Sequence, residues 1–113
     1  MLDFNITNRK LNLINQQVSR FLEEKGYLTF GVPGTASIGD GKRLKSDLSH
    51  KHFAVAAWLG KFGINNLVLT PEFGPRVRFT SIITTAKLKP ITKEAKKICT
   101  DCQQCIDVCP VNA

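Results

Sequence analysis

Residues 1–98 contain no cysteine, and all four thiols of the 113-residue chain fall between Cys99 and Cys109. A disulfide framework spread through the chain is thereby excluded. Long apolar runs are missing as well. The longest uncharged apolar stretch, Phe53 to Gly60, is far short of the roughly 20 residues that a membrane-spanning helix needs. The start, Met1-Leu2-Asp3-Phe4-Asn5, lacks the basic opening and apolar core of a secretory signal, which predicts a cytoplasmic chain with no membrane association. In that reducing compartment, clustered cysteines read as metal ligands before disulfides. Acidic residues are scarce, nine against sixteen Lys and Arg, for a formal charge of +7. The basic residues are dispersed rather than massed, which argues against a nucleic-acid interface.

With 42% hydrophobic and 22% charged residues, the chain has the composition of a folded domain with one modest core. Between Asn8 and Gly26, Leu11, Ile14, Val18, Phe21 and Leu22 recur at helical spacing, with Gly26 as a stop. Tyr27 to Val32 reads as a buried strand, and Pro33-Gly34 with Gly39-Asp40-Gly41 as a polar loop. Ser49 is placed to cap a second helix over 49–62, in which Phe53, Ala56, Ala57 and Gly60 form a small-residue face. The segments 66–70 and 77–84 are rich in β-branched and aromatic residues and flank Pro71-Glu72-Phe73-Gly74-Pro75, which predicts strand, turn, strand. The expected class is α/β (α+β): two helices packed on one small sheet of 27–32, 66–70 and 77–84, followed by the start of a ferredoxin-like segment. The corresponding divisions are an α/β portion over 1–88, a basic linker over 89–97 with Pro90 barring regular structure, and a cysteine segment over 98–113.

The cysteines are spaced C-x2-C-x2-C-x3-C and followed by Pro110, the run by which bacterial ferredoxins bind a [4Fe–4S] cluster. Two-residue gaps let successive sulfurs curl around one face of a cube. Zinc sites usually separate two such pairs by a dozen or more residues, so Cys99, Cys102, Cys105 and Cys109 are assigned as cluster ligands. Four thiolates around such a core leave about two negative charges, which Lys93, Lys96 and Lys97 are placed to offset. In two-cluster ferredoxins the fourth cysteine of this run serves the other cluster, so Cys109 either closes this cluster or belongs to a second one.

Three further stretches, Ser49 to His52, Gly60 to Leu67, and Leu69-Thr70-Pro71-Glu72-Phe73-Gly74-Pro75-Arg76-Val77-Arg78, together with the cysteine run, resemble the epoxyqueuosine reductase and reductive dehalogenase superfamily over roughly residues 18–113. The resemblance implies a corrinoid-binding α/β domain followed by a two-cluster ferredoxin domain, with electrons passing through the clusters to cobalt. It implies an iron–sulfur oxidoreductase component; the alternative is a non-catalytic 4Fe–4S electron carrier. The expected partner is an electron-donor protein or the remainder of the family's architecture. His52, Gly60, Gly63, Asn65, Pro71, Gly74 and Arg76 become candidate cofactor contacts, with His50 and Arg78 beside them, and cobalamin a candidate cofactor. The family's longer N-terminal portion and second cysteine run have no counterpart here. Its catalytic aspartate falls near Leu44, between Asp40 and Asp47, so no catalytic residue is assigned.

Overall fold

The computed structural model describes residues 4–34 and 48–111. Asp40, Leu44 and Asp47 lie outside the described residues. The elements run α1 (Phe4–Glu24), β1 (Thr29–Val32), α2 (His50–Ala56), β2 (Lys61–Phe62), β3 (Val68–Leu69), β4 (Ser81–Thr84) and α3 (Gln104–Asp107). They form two compact units, and the chain passes between them at 50–51, 77–78 and 89–90. The class is mixed α/β, as expected, with helices and small antiparallel sheets. Among the described residues, no helix is long and apolar enough to cross a membrane.

The first unit holds α1, β1 and β4. α1 starts four residues before the apolar periodicity and ends where Gly26 turns left-handed, at φ +87°. There Gly26 N–H donates to Glu23 O and Tyr27 N–H to Leu22 O, the double bond pattern that closes many helices. The apolar stripe is only half used: Leu11 and Leu22 are partly covered, while Ile14, Val18 and Phe21 stay exposed. Among the described side chains of α1 the most deeply buried is instead Asn15, 5% exposed. Its amide donates to Thr80 Oγ1 at 2.6 Å and to Ser81 O at 3.0 Å, and Thr80 Oγ1 donates to Val32 O at 2.7 Å. Gly31 makes this approach feasible, since a Cβ there would overlap Asn15 Oδ1. A polar clamp thus fixes helix to sheet. Replacing Asn15 by leucine removes the donor from two part-buried acceptors and is expected to cost about 2 kcal/mol, lowering Tm by about 10 °C. A Tm within 2 °C of the parent, measured by circular dichroism beside an exposed control such as Gln17→Ala, would show that the clamp organises nothing.

The strand pairing differs from the expected hairpin of 66–70 with 77–84, and the single sheet is two. β4 pairs antiparallel with β1, Thr29 opposite Thr84 through Val32 opposite Ser81, whereas β3 pairs with β2, Lys61 opposite Leu69 and Phe62 opposite Val68. Pro71 and Pro75 supply no N–H for a ladder, and Thr70 and Gly74 exchange both backbone bonds around Pro71-Glu72-Phe73. The ladder therefore closes on itself at residue 74 and does not run on to 77–84. The better hairpin loop is Ile64-Asn65-Asn66. Asn66 takes the left-handed φ of +59°, its N–H donates to Gly63 O, Gly63 N–H donates to Leu67 O, and Asn65 Oδ1 accepts from Leu67 N–H. That is the three-residue hairpin loop with a left-handed last residue.

The expected helix over 49–62 is likewise shorter. α2 follows directly on Ser49, stops at Ala56, and gives 61–62 to β2. Trp58 N–H donates to Val55 O and Leu59 N–H to Ala54 O, with Trp58 left-handed at φ +59°. This repeats the ending of α1, with an indole where α1 has glycine. The left-handed region costs a side-chain-bearing residue about 1–2 kcal/mol.

Candidate metal centre and surrounding cofactor surface

Between Cys99 and Cys109 the backbone reverses hand twice. Asp101, inside the first two-residue gap, has φ +57°, and Gln103, inside the second, has φ +64°. Cys102 lies between them. Left-handed residues alternating with ordinary ones turn successive amides toward one concave side, the arrangement that binds anions and many iron–sulfur clusters. Among the described residues, no backbone carbonyl accepts from the amides of 99–103. Gln103 leads into α3, which carries Cys105, and Cys109 N–H donates to Ile106 O just after that turn. Cys102 is exposed, the other three thiols are half-buried, and none forms a disulfide. Among the described residues, no three His, Cys, Asp or Glu side chains converge on a common metal-binding point. The donor set and the turned amides nonetheless suit an anionic iron–sulfur core, because four thiolates are soft ligands and the concavity supplies N–H donors.

Asp101 is tied on both sides. Lys97 donates to its Oδ2 across one helical-type spacing, and the Cys99 thiol donates to its Oδ1 at 3.5 Å. These bonds, the ammonium's first, hold the Asp101 carboxyl below the ordinary carboxylate range, and the same pairing raises Lys97. The pair is solvent-exposed and adds little to stability. A second ion pair, Lys61 with Glu94, ties β2 to the segment before the cysteines.

The candidate cofactor contacts lie in the second unit, on α2 and around the two tight loops. Gly60 is buried, and its missing Cβ makes room for the Leu69 carbonyl; the space beside Gly63 is taken by the Leu69 side chain and Asn65 Oδ1. Both therefore serve the β2–β3 hairpin. His52 is exposed, with its ring set against Phe62 at 5.1 Å between centroids. Asn65, Pro71 and Arg76 are exposed, and Gly74, left-handed at φ +58°, has open space where a Cβ would stand. In the first unit, His50 Nε2–H donates to Pro33 O at 3.1 Å, leaving Nδ1 to accept from Ser81 Oγ at 2.7 Å, and Arg78 donates to Asn8 Oδ1. Both are engaged within the fold. The sequence reading passed over Trp58, whose only signal is that the residue sits where a helix-ending glycine would be expected.

No protein-family model matches the chain, and no solved structure matches it. Among curated proteins it is similar to oxidoreductases. The tetrachloroethene reductive dehalogenase of Sulfurospirillum multivorans is 29% identical over 107 residues, covering 92% of this chain and 19% of that protein. The tetrachloroethene reductive dehalogenase of Desulfitobacterium hafniense is 40% identical over 63 residues, 53% of this chain and 11% of its own length. The epoxyqueuosine reductase of Listeria monocytogenes is 36% identical over 67 residues, 59% of this chain and 17% of that enzyme. The resemblance is thus to reductive dehalogenases and epoxyqueuosine reductases, and the chain spans about a fifth or less of the relatives it matches.

Proposed function

We propose that this chain is the iron–sulfur electron-transfer portion of a reductase of the kind its relatives are named for, acting in the cytoplasm and passing electrons from a donor protein toward a corrinoid. The observation that carries the reading is the cysteine run in which each two-residue gap contains a left-handed residue. Cys99, Cys102 and Cys105 are the ligands held closest in sequence to those turns, and Cys109 completes this cluster or serves a second. When bound, a [4Fe–4S] cluster supplies one-electron transfer at a potential set by its charge, its hydrogen bonds and its exposure. The chain's own part is to present four thiolates, to aim backbone amides at an anionic core, and to keep Lys93, Lys96 and Lys97 near that charge. Toward a corrinoid, Arg76 and Asn65 offer exposed donors for carboxamides, and Gly74 lets a macrocycle edge approach the backbone.

A second reading, an electron carrier that holds no corrinoid, is favoured by Gly60 and Gly63, whose space is already taken by Leu69 and Asn65. Anaerobic reconstitution with ferrous iron and sulfide tests what both share. The expected product is brown, contains about four irons and four acid-labile sulfides per chain, and bleaches with a strong reductant. Stoichiometric zinc without labile sulfide, in protein made with ample iron, would refute the cluster. Adding cobalamin to the reconstituted chain separates the two readings: a saturable change in the corrinoid spectrum supports the first, and an unchanged spectrum the second.

A further inference from the structure

Trp58 holds a left-handed backbone conformation that is unfavourable for a residue with a side chain. Its φ of +59° lies in the left-handed region, as does that of Gly26 at the matching end of α1, and its side chain remains 39% exposed. Among the described residues, no other ring and no ammonium stacks on the indole. The indole lines a cleft of about 400 Å³, walled also by Leu59, Pro71, Glu72 and the segment from Lys93 to Lys96. That volume lies within the range of small-molecule sites. Strained residues of this kind gather at ligand clamps.

The charges around the cleft narrow the ligand. Glu94 is paired with Lys61, whereas Lys93 and Lys96 have no acidic partner among the described residues. Ala95, between them, is buried at 8% exposed and pins that wall. Glu72 is the remaining acid, so the cleft offers two ammonium groups against one carboxylate beside an open aromatic face. An indole face takes a planar ring by stacking, and two lysines take a phosphate as point charges.

We propose that this cleft binds a planar aromatic phosphate, the ring stacked on Trp58 and the phosphate met by Lys93 and Lys96. The cleft takes Lys93 and Lys96 from the basic segment before the cysteine run and Pro71 from the candidate cofactor contacts, and none of its lining residues is a cysteine.

Trp58 is the chain's only tryptophan, so its fluorescence reports on the site directly. Flavin mononucleotide and adenosine monophosphate serve as probes, with riboflavin and inorganic phosphate as their separated halves. At least one of the two mononucleotides is expected to quench saturably, riboflavin at least ten-fold more weakly than its phosphate, and inorganic phosphate not at all; which mononucleotide binds tighter identifies the ring. Trp58→Gly suits the left-handed backbone, so its Tm is expected to equal or exceed the parent's while binding by equilibrium dialysis falls at least ten-fold. Lys93→Ala with Lys96→Ala is expected to bring the phosphate compound down to the riboflavin level. Purely linear quenching by both mononucleotides, undiminished binding to Trp58→Gly, or a fall of more than 5 °C in its Tm would overturn the proposal. The last would mean that packing alone retains the indole.

Discussion

Replacing Cys102 by serine is expected to remove most of the iron that the reconstituted chain takes up, from about four atoms per chain to fewer than one, together with the labile sulfide and the brown colour. The position is chosen for its backbone. Cys102 alone among the four lies directly between the two left-handed residues, Asp101 and Gln103. A serine hydroxyl is a harder ligand that stays protonated near neutral pH, and three remaining thiolates leave one iron open to solvent and oxygen. Cys109→Ser supplies the informative contrast. Loss of iron equal to that in Cys102→Ser, or conversion to a [3Fe–4S] signal by electron paramagnetic resonance that the parent lacks, means that Cys109 closes the same cluster, whereas iron, sulfide and spectrum unchanged from the parent mean that it points elsewhere. Retention of full iron and sulfide by Cys102→Ser would defeat the ligand assignment altogether.

The second large effect is expected at Gly60. An alanine Cβ there would be driven into the Leu69 carbonyl, with the Leu69 carbonyl carbon and Val68 Cγ1 each only 3.0 Å away. Two of those atoms are backbone, which cannot swing aside as a side-chain tip can, and the β2–β3 ladder has just two residue pairs with which to resist. Gly60→Ala is therefore expected to destabilise the second unit by about 2–4 kcal/mol and to accelerate hydrogen exchange at Gly63 N–H, which closes the hairpin on Leu67 O. Gly74→Ala meets no atom within 4 Å and bears only the left-handed penalty, about 1–2 kcal/mol. The ordering of the two variants is the measurement. Were Gly60→Ala the milder, with an unchanged melt and weakened cobalamin binding, the glycine would be a ligand contact and not a packing one.

What could be read in the sequence was local. The cysteine spacing carries its own chemical expectation within eleven residues, and the end of α1 follows from apolar periodicity and a terminal glycine, although its start at Phe4 does not. Pairing was not legible, because a run such as 77–84 advertises strand propensity without naming a partner; the partner of β4 was set by Asn15, which reaches Thr80 and Ser81 from another element. Asn15 did carry a signal, a polar residue beside Ile14 in the helical stripe, but one residue off the apolar face reads as solvated until its acceptors are known. The end of α2 was hidden for the opposite reason. Tertiary structure overrode propensity at Trp58, where a good helix would have run on to 62 and the backbone instead took a conformation that sequence rules reserve for glycine. Among the candidate cofactor contacts, what closely approaches Gly60 and Gly63 is Leu69 and Asn65, while Gly74 has nothing within 4 Å.

The pairing of β1 with β4 also orders events in time. Val32 and Ser81 must meet across about 50 residues of chain, whereas Phe62 and Val68 meet across about 6; the longer closure costs about 2 kcal/mol more in chain entropy. On a ribosome, β1 emerges early and waits unpaired until the residues of β4 are clear of the exit tunnel, by which time the 61–69 hairpin has long been available. The strand left waiting carries Phe30 at an exposed position, with exposed Leu28 just before it, so nascent chains stalled before residue 81 are the species on which a chaperone would act.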